Sequence, residues 1–99
     1  MKLDDVHPDS MAKFVGTPFD ILEEQYTGLT VILKDIVTHT FTDNLETFSL
    51  FFHGPMEFCL PQGIHKLIHK DLGEIDLFLV PVGKDKDGYQ YEAVFNRMV

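Results

Sequence analysis

Two histidines four residues apart are the residues of this sequence whose types and spacing come closest to a metal site. On a helix, His65 and His69 would lie one above the other and could bind zinc together. Residues 64–70 instead follow the pattern of a strand, so both rings are expected to share one face with Leu67. Structural zinc takes four protein ligands and catalytic zinc three, and the neighbouring sequence offers neither set. We therefore interpret both as strand histidines and expect no metal.

A thiol and an imidazole form the second candidate pair. Cys59 is the single cysteine, and His53 would be its base. A Gly-Pro turn separates them, and Cys59 lies between Phe58 and Leu60, where a small buried side chain is expected. Ser49 lies in a predicted strand and not in the G-x-S-x-G turn that exposes a nucleophilic serine. We therefore expect no catalytic residue and interpret the chain as a non-enzyme.

An acidic turn near the C-terminus is the third candidate. The segment Asp85-Lys86-Asp87-Gly88 is similar to the start of a calcium loop, but the first ligand position would fall on Gly83 and the bidentate acid on Val94. A hairpin turn explains these residues. The seven glycines stand singly at turns and not together in a phosphate-binding loop, so no cofactor is expected. An enzyme would instead bring a carboxylate and a histidine together in a cleft, and the histidines to inspect are His39, His53, His65 and His69.

Composition limits the class of protein. The chain has 99 residues, 44% of them hydrophobic, and nine phenylalanines, which suffice for one core in one domain. Its net charge of −8, with no basic stripe, disfavours nucleic acid and anionic membranes as partners. One cysteine and an N-terminus without an apolar stretch predict a soluble, cytoplasmic protein.

The pattern of apolar runs and turn residues predicts an all-β domain, a small antiparallel barrel or sandwich of six to seven strands. The predicted strands cover residues 17–24, 29–40, 46–52, 56–60, 64–69, 74–82 and 89–96. A bulge is expected at Asp35, and Pro81 is expected to leave the ladder. The strand 74–82 is apolar on both faces and is predicted to be buried on both. Asp87 and Gly88 are predicted to form a two-residue hairpin loop.

The N-terminal part is predicted to be mostly irregular. Residues 1–10 are expected to be loosely ordered, and residues 11–99 to form the single β domain. The only predicted helix is short, covers residues 11–14, is capped by Asp9 or Ser10 and stops at Gly16.

Five motifs together resemble a bacterial domain-of-unknown-function family. They are ETFSLFFHGP at 46–55, LPQG at 60–63, LGE at 72–74, LFLVPVG at 77–83 and YEAVFN at 91–96, and the segment VGTPF at 15–19 is similar as well. Where members of this family often have an arginine before the Gly-Pro and an aromatic residue after Gln-Gly-x, this chain has His53 and His65. The resemblance implies no activity. It implies genes near phage-type tail-collar fibre-like proteins, and hence a fibre-like protein as partner.

We therefore expect an interaction or assembly accessory domain, with a small-molecule-binding β-barrel as the alternative. The candidate contact surfaces are Phe51, the loop 55–58 and free edge strands, where a partner strand could add. Phe51 has a second interpretation, as core between two sheets. An edge strand could also close a homo-oligomer. Small barrels are usually filled by their own side chains, which disfavours the small-molecule alternative.

Overall fold

The structure, a computed structural model, describes residues 1–98 apart from the side chain of Phe41. Six strands form the domain: β1 Pro18–Ile21, β2 Thr30–Phe41, β3 Leu45–Gly54, β4 Gly63–His69, β5 Gly73–Asp85 and β6 Gly88–Met98. One short helix precedes them, α1 Pro8–Met11, and single 3₁₀ turns lie at Leu3–Asp5, Ala12–Phe14 and Glu24–Tyr26. All neighbouring strands are antiparallel, and the sheet closes into a barrel. The predicted all-β class with a short N-terminal helix is confirmed.

The barrel consists of two three-stranded meanders. Strands β1, β2 and β3 form one, and β4, β5 and β6 form the other, since consecutive strands pair within each. The seam between β3 and β6 has ten paired positions, from Leu45 with Met98 to Gly54 with Tyr89. The seam between β1 and β4 has only two, Asp20 with Ile68 and Ile21 with Leu67. The ring is therefore closed firmly on one side and narrowly on the other.

The interior of the barrel is filled by side chains that alternate along the strands. On β3 the inward residues are Phe48, Leu50 and Phe52, each at most 1% exposed. The rings of Phe52 and Phe19 meet edge to face at a centroid distance of 5.4 Å. Each such buried side chain contributes roughly 1.5–3 kcal/mol of transfer free energy. This core places the residues between them, Ser49 and Phe51, on the outer face of β3.

The irregularity predicted at Asp35 is confirmed. The register between β2 and β3 shifts between Leu33 and Asp35, which leaves Lys34 as the extra residue. The carboxylate of Asp35 accepts the amide hydrogen of Ile36 at 2.8 Å. The bulge therefore turns Lys34 and Asp35 toward the outside of the barrel.

Strand β5 differs from its prediction in two respects. Ile75, Leu77 and Leu79 are buried, but Phe78 on the other face is 50% exposed, because a single ring has no second layer to cover its outer side. The strand also continues past Pro81 to Asp85. Its pairing with β4 ends at Leu79 and its pairing with β6 begins at Val80, so the missing amide of Pro81 costs no bond to β4.

Three local predictions are wrong. Residues 56–60 form a turn and loop instead of a strand, because the Leu60 amide donates to the hydroxyl of Tyr91 and not to a ladder. The helix begins at Pro8 with His7 as its N-cap residue, and Ser10 lies inside the first turn, where its hydroxyl accepts the His7 amide hydrogen. The hairpin loop consists of residues 86 and 87, since Gly88 already pairs with Asp85.

The first six residues, called the N-terminal strap below, lie against the end of the barrel. Val6 is fully buried in the core. The guanidinium of Arg97 on β6 donates to the carbonyls of Leu3, Asp4 and Val6. The terminal ammonium of Met1 donates to a carbonyl at the start of β5. The strap therefore contributes side-chain burial and hydrogen bonds to the domain.

The buried hydroxyl of Tyr91 makes the stability of the domain depend on pH in the alkaline range. Its hydroxyl is buried and accepts the Leu60 amide at 2.8 Å, and burial raises the pKa of Tyr91 to about 12 from an ordinary 10. The folded state therefore favours the neutral phenol. The contribution of the neutral phenol to the free energy of unfolding is complete below about pH 10. It is lost as the pH rises through about 12, and the total loss is about 2–3 kcal/mol.

We expect Tyr91→Phe to lower the free energy of unfolding by about 1–3 kcal/mol at neutral pH, because the buried Leu60 amide loses its acceptor. We also expect the variant to lose stability less steeply than the wild type between about pH 9 and about pH 12. Urea denaturation across this range measures both effects. The half-buried Tyr89 supplies the control, Tyr89→Phe. Equal pH slopes for Tyr91→Phe and the wild type would refute the assignment.

Candidate functional site

An open groove of about 520 Å³ lies on the outside of the barrel. It lies between the β2 bulge and the β5–β6 hairpin, with the outer face of β3 as its floor. Its lining residues are Lys34, Asp35, Val37, Phe51, Phe52, His53, Asp85, Asp87 and Gln90. We call this the hairpin groove.

The floor of the groove follows from strand alternation. Phe51 points outward because its neighbours Leu50 and Phe52 point into the core. It pairs with Asp35 of β2 on one side and Glu92 of β6 on the other. Phe51 remains partly exposed, and no second sheet covers it within residues 1–98, so its interpretation as inter-sheet core is wrong.

One wall of the groove is a fixed carboxylate. Asp85 accepts amide hydrogens from Asp87 at 2.8 Å and Gly88 at 3.1 Å, and its second oxygen accepts from the Gln90 side chain at 2.9 Å. Nε2 of His53 lies 3.3 Å from Asp85. These contacts, led by the Asp87 amide, lower the pKa of Asp85 to about 2. The wall is therefore negative at neutral pH and held in place by the hairpin.

The charges of the groove favour a cation. Asp35, Asp85 and Asp87 contribute three carboxylates, and Lys34 contributes one ammonium. The partly exposed Phe51 lines the same groove, and an aromatic face attracts ammonium and guanidinium groups. Residues 1–98 contain no group of three His, Cys, Asp or Glu placed to hold a metal ion. Carboxylates beside an aromatic ring suit an ammonium or guanidinium group.

The two candidate metal histidines lie on the inner face of β4 and serve the fold. Nδ1 of His65 lies 2.7 Å from the Glu23 carboxylate, and Nε2 lies 2.8 Å from the Pro61 carbonyl. His69 accepts the Asp71 amide on Nδ1 at 3.1 Å, so Nε2 donates to the Thr17 hydroxyl at 2.9 Å. Both rings are buried and use both nitrogens, as the interpretation as strand histidines implies.

A histidine, a serine and a carboxylate also meet on the outer face. Nε2 of His39 lies 2.8 Å from the Ser49 hydroxyl, which donates to Glu92 at 2.6 Å. In a hydrolytic triad the histidine lies between serine and acid and removes the serine proton. Here the serine lies in the middle, its hydroxyl hydrogen is directed to the carboxylate, and it is fully buried. The cluster therefore ties β2, β3 and β6 together.

Of the remaining candidates, Cys59 and His53 are separated, whereas His53 and Asp85 form a histidine–carboxylate pair in the groove, the arrangement named above for an enzyme. The thiol of Cys59 is directed to the Leu60 carbonyl at 3.6 Å, while His53 contacts Asp85. In the predicted loop 55–58, Phe58 is 43% exposed and its ring lies 5.3 Å from that of Tyr26. The expected free edge strands are wrong, because β1 pairs with both β2 and β4 and so closes the ring.

Sequence reasoning named Phe51 as a contact residue, but it named His53, Asp85 and Asp87 only as candidates for other chemistry. Asp35 was visible only as an interruption of an apolar run. Gln90 lies beside His53 through the β3–β6 register, which joins residues far apart in sequence. The sequence predicted that Asp85 and Asp87 lie in a hairpin turn. No pattern of neighbouring residues shows that this turn lies beside Phe51.

Fold and groove together define a small antiparallel β-barrel domain with an acidic, aromatic-floored groove on its outer surface. The comparison with protein families matches residues 6–95 to a domain of unknown function, DUF6916. The chain belongs to this family, which confirms that it is a member of an unknown-function domain family. No curated protein and no solved structure gives a significant match. Within residues 1–98, no helix has the length and hydropathy needed to cross a membrane.

Proposed function

We propose that this chain is a non-enzymatic interaction or assembly accessory domain whose hairpin groove binds a basic side chain of a partner protein. The observation that supports this most is the outward Phe51, partly exposed on the groove floor among three carboxylates. A guanidinium placed over this ring would gain cation–π attraction of about 0.5–1 kcal/mol and further attraction from the carboxylates.

The groove is held in its shape before a ligand binds, which favours binding. Asp85 uses its oxygens on hairpin amides and on Gln90, so its charge has a fixed position before any ligand arrives. A site that is ordered in advance loses less side-chain entropy on binding. Asp87 at the hairpin tip and Asp35 at the bulge are exposed and remain free to contact a ligand.

The partner that we propose to test first is a fibre-like or tail-collar-like protein. This choice comes from the sequence resemblance to a bacterial family encoded near such proteins. The net charge of −8 adds a general attraction for a basic partner surface, which would raise the association rate most at low ionic strength.

The groove can be tested with a probe that carries only the proposed chemistry. We expect N-acetyl-arginine amide to shift the amide resonances of Phe51, His53 and Asp87 in an NMR titration. The uncharged analogue N-acetyl-citrulline amide should shift them far less. Asp35→Asn with Asp87→Asn should weaken arginine binding by about fivefold, as expected for two solvent-exposed charge pairs.

A matched control removes a charge outside the groove. Asp43 lies exposed in the β2–β3 turn, so Asp43→Asn should leave arginine binding unchanged. Equal shifts with arginine and citrulline, or equal losses in the control and the groove variant, would contradict the proposal. Co-elution of a fibre-like protein with the wild type but not with the groove variant would identify the partner.

A small organic cation is the second candidate ligand, which moves the small-molecule alternative from the filled barrel interior to the groove. The groove volume of about 520 Å³ falls within the range of ligand clefts, about 300–1,000 Å³. Free arginine amide binding as tightly as an arginine-containing segment of the fibre-like protein would favour this candidate, because a protein partner adds contacts beyond one side chain.

A further inference from the structure

The outer face of β4, β5 and β6 carries exposed apolar residues that we call the stripe. Ile64 is 71% exposed, Phe78 is 50% exposed and Val94 is 57% exposed. Ile64 and Phe78 are cross-strand partners on the outer face. The core does not use these residues, since the inward positions of β4 and β5 are filled by others. Neighbouring apolar side chains exposed together on a sheet face are typical of a contact surface.

An ion pair lies beside the stripe. Lys66 and Asp76 are the next outward pair along the same ladder, with Nζ 3.4 Å from Oδ1. Both side chains are about half exposed. The pair has no net charge, and the next outward pair of the ladder adds one exposed acid, Glu74 opposite Ile68.

We propose that this face is the contact surface for a second copy of the chain. A two-fold axis parallel to the strands and between β4 and β5 would set Ile64 of each copy against Phe78 of the other. The same axis sets Lys66 of each copy against Asp76 of the other. These two outward pairs are therefore each complementary to themselves across the axis, one in apolar and one in charged residues. This inference does not depend on the hairpin groove, because the groove lining includes none of Ile64, Lys66, Asp76, Phe78 and Val94.

The net charge of −8 opposes self-association, so the dimer is expected to be weak and favoured by moderate salt, which screens repulsion between the acidic bodies. Sedimentation equilibrium over about a hundredfold range of concentration measures the dissociation constant. Phe78→Ser should raise that constant at least about tenfold, because the largest apolar group of the contact is lost. Val15→Ser, at a side chain 43% exposed outside the stripe, should leave it unchanged.

Charge reversal distinguishes a second copy from any other occupant. Lys66→Glu alone sets two acids against each other across the axis, and Asp76→Lys alone sets two lysines against each other, so each variant should dimerise at least about threefold less well. A mixture of the two variants restores both opposite-charge contacts, and it should form a heterodimer about as tightly as the wild type.

Several results would overturn the inference. The first is a wild type that stays monomeric over the whole concentration range. The second is a mixture of the two charge variants that associates no better than each variant alone. The third is a change in the dissociation constant for Val15→Ser equal to that for Phe78→Ser. Circular dichroism of each variant confirms folding, which is expected because the altered side chains lie outside the core. A monomeric wild type that still binds arginine amide would refute this inference and leave the proposed function standing.

Discussion

Gly88→Ala is expected to destabilise the domain by at least about 3 kcal/mol, a large value for one methyl group. A β-carbon at Gly88 would lie 1.9 Å from the carbonyl oxygen of Gly54 and 3.3 Å from the amide nitrogen of Met56. Both are backbone atoms and cannot rotate away. The start of β6 must move, and the hairpin that forms the groove wall must move with it.

The matched control for this variant is Gly63→Ala. Gly63 has a φ of 156° and Gly88 a φ of 150°, so the two backbones impose nearly the same strain on alanine. A β-carbon at Gly63 meets nothing within 4 Å. Urea denaturation of both variants separates the two contributions, since Gly63→Ala shows the backbone strain alone. Equal losses of stability would show that the contact with Gly54 does not carry the effect.

The second large effect is expected at Arg97. We predict that Arg97→Ala lowers the free energy of unfolding by about 3 kcal/mol or more, because Glu46 is left as a buried carboxylate without its cation. Nε of Arg97 lies 3.5 Å from Oε2 of Glu46, whose side chain is 8% exposed. The variant also frees three strap carbonyls, so hydrogen exchange should rise in residues 3–6 before the rest of the barrel.

Two further variants test this account of Arg97. Arg97→Lys keeps the charge but loses the planar group that lies over Phe48 and Phe95, and it should recover only part of the stability. In a Glu46→Gln background the loss caused by Arg97→Ala should shrink, since no carboxylate is then left unpaired. An unchanged loss in that background would show that the ion pair contributes little, and unchanged exchange in the strap would contradict its attachment through Arg97.

Several local features of the strands could be predicted from residues that are close in sequence. The alternation around Phe48, the bulge at Asp35 and the hairpin near Gly88 depend on neighbours in sequence, and the structure agrees with them within one residue. The sequence could not show whether one ring or two stacked sheets forms. The apolar outer face of β5 therefore suggested a second layer, and Phe78 is instead exposed.

The candidate site depended on contacts that no local pattern contains. His53 meets Asp85 across 32 residues of sequence, and the β3–β6 register that holds them comes from packing of the whole ring. The same limit applies to His65, whose carboxylate partner lies 42 residues away. Turn chemistry identified the acidic hairpin, but only the closed barrel shows which side chains it faces.

The two seams that join the meanders differ in length. Ten paired positions join β3 to β6, and only two join β1 to β4. Thermal opening should therefore begin between β1 and β4, while the hairpin groove beside the long β3–β6 seam stays intact. Local unfolding at the short seam would thus leave the proposed binding residues in their native arrangement.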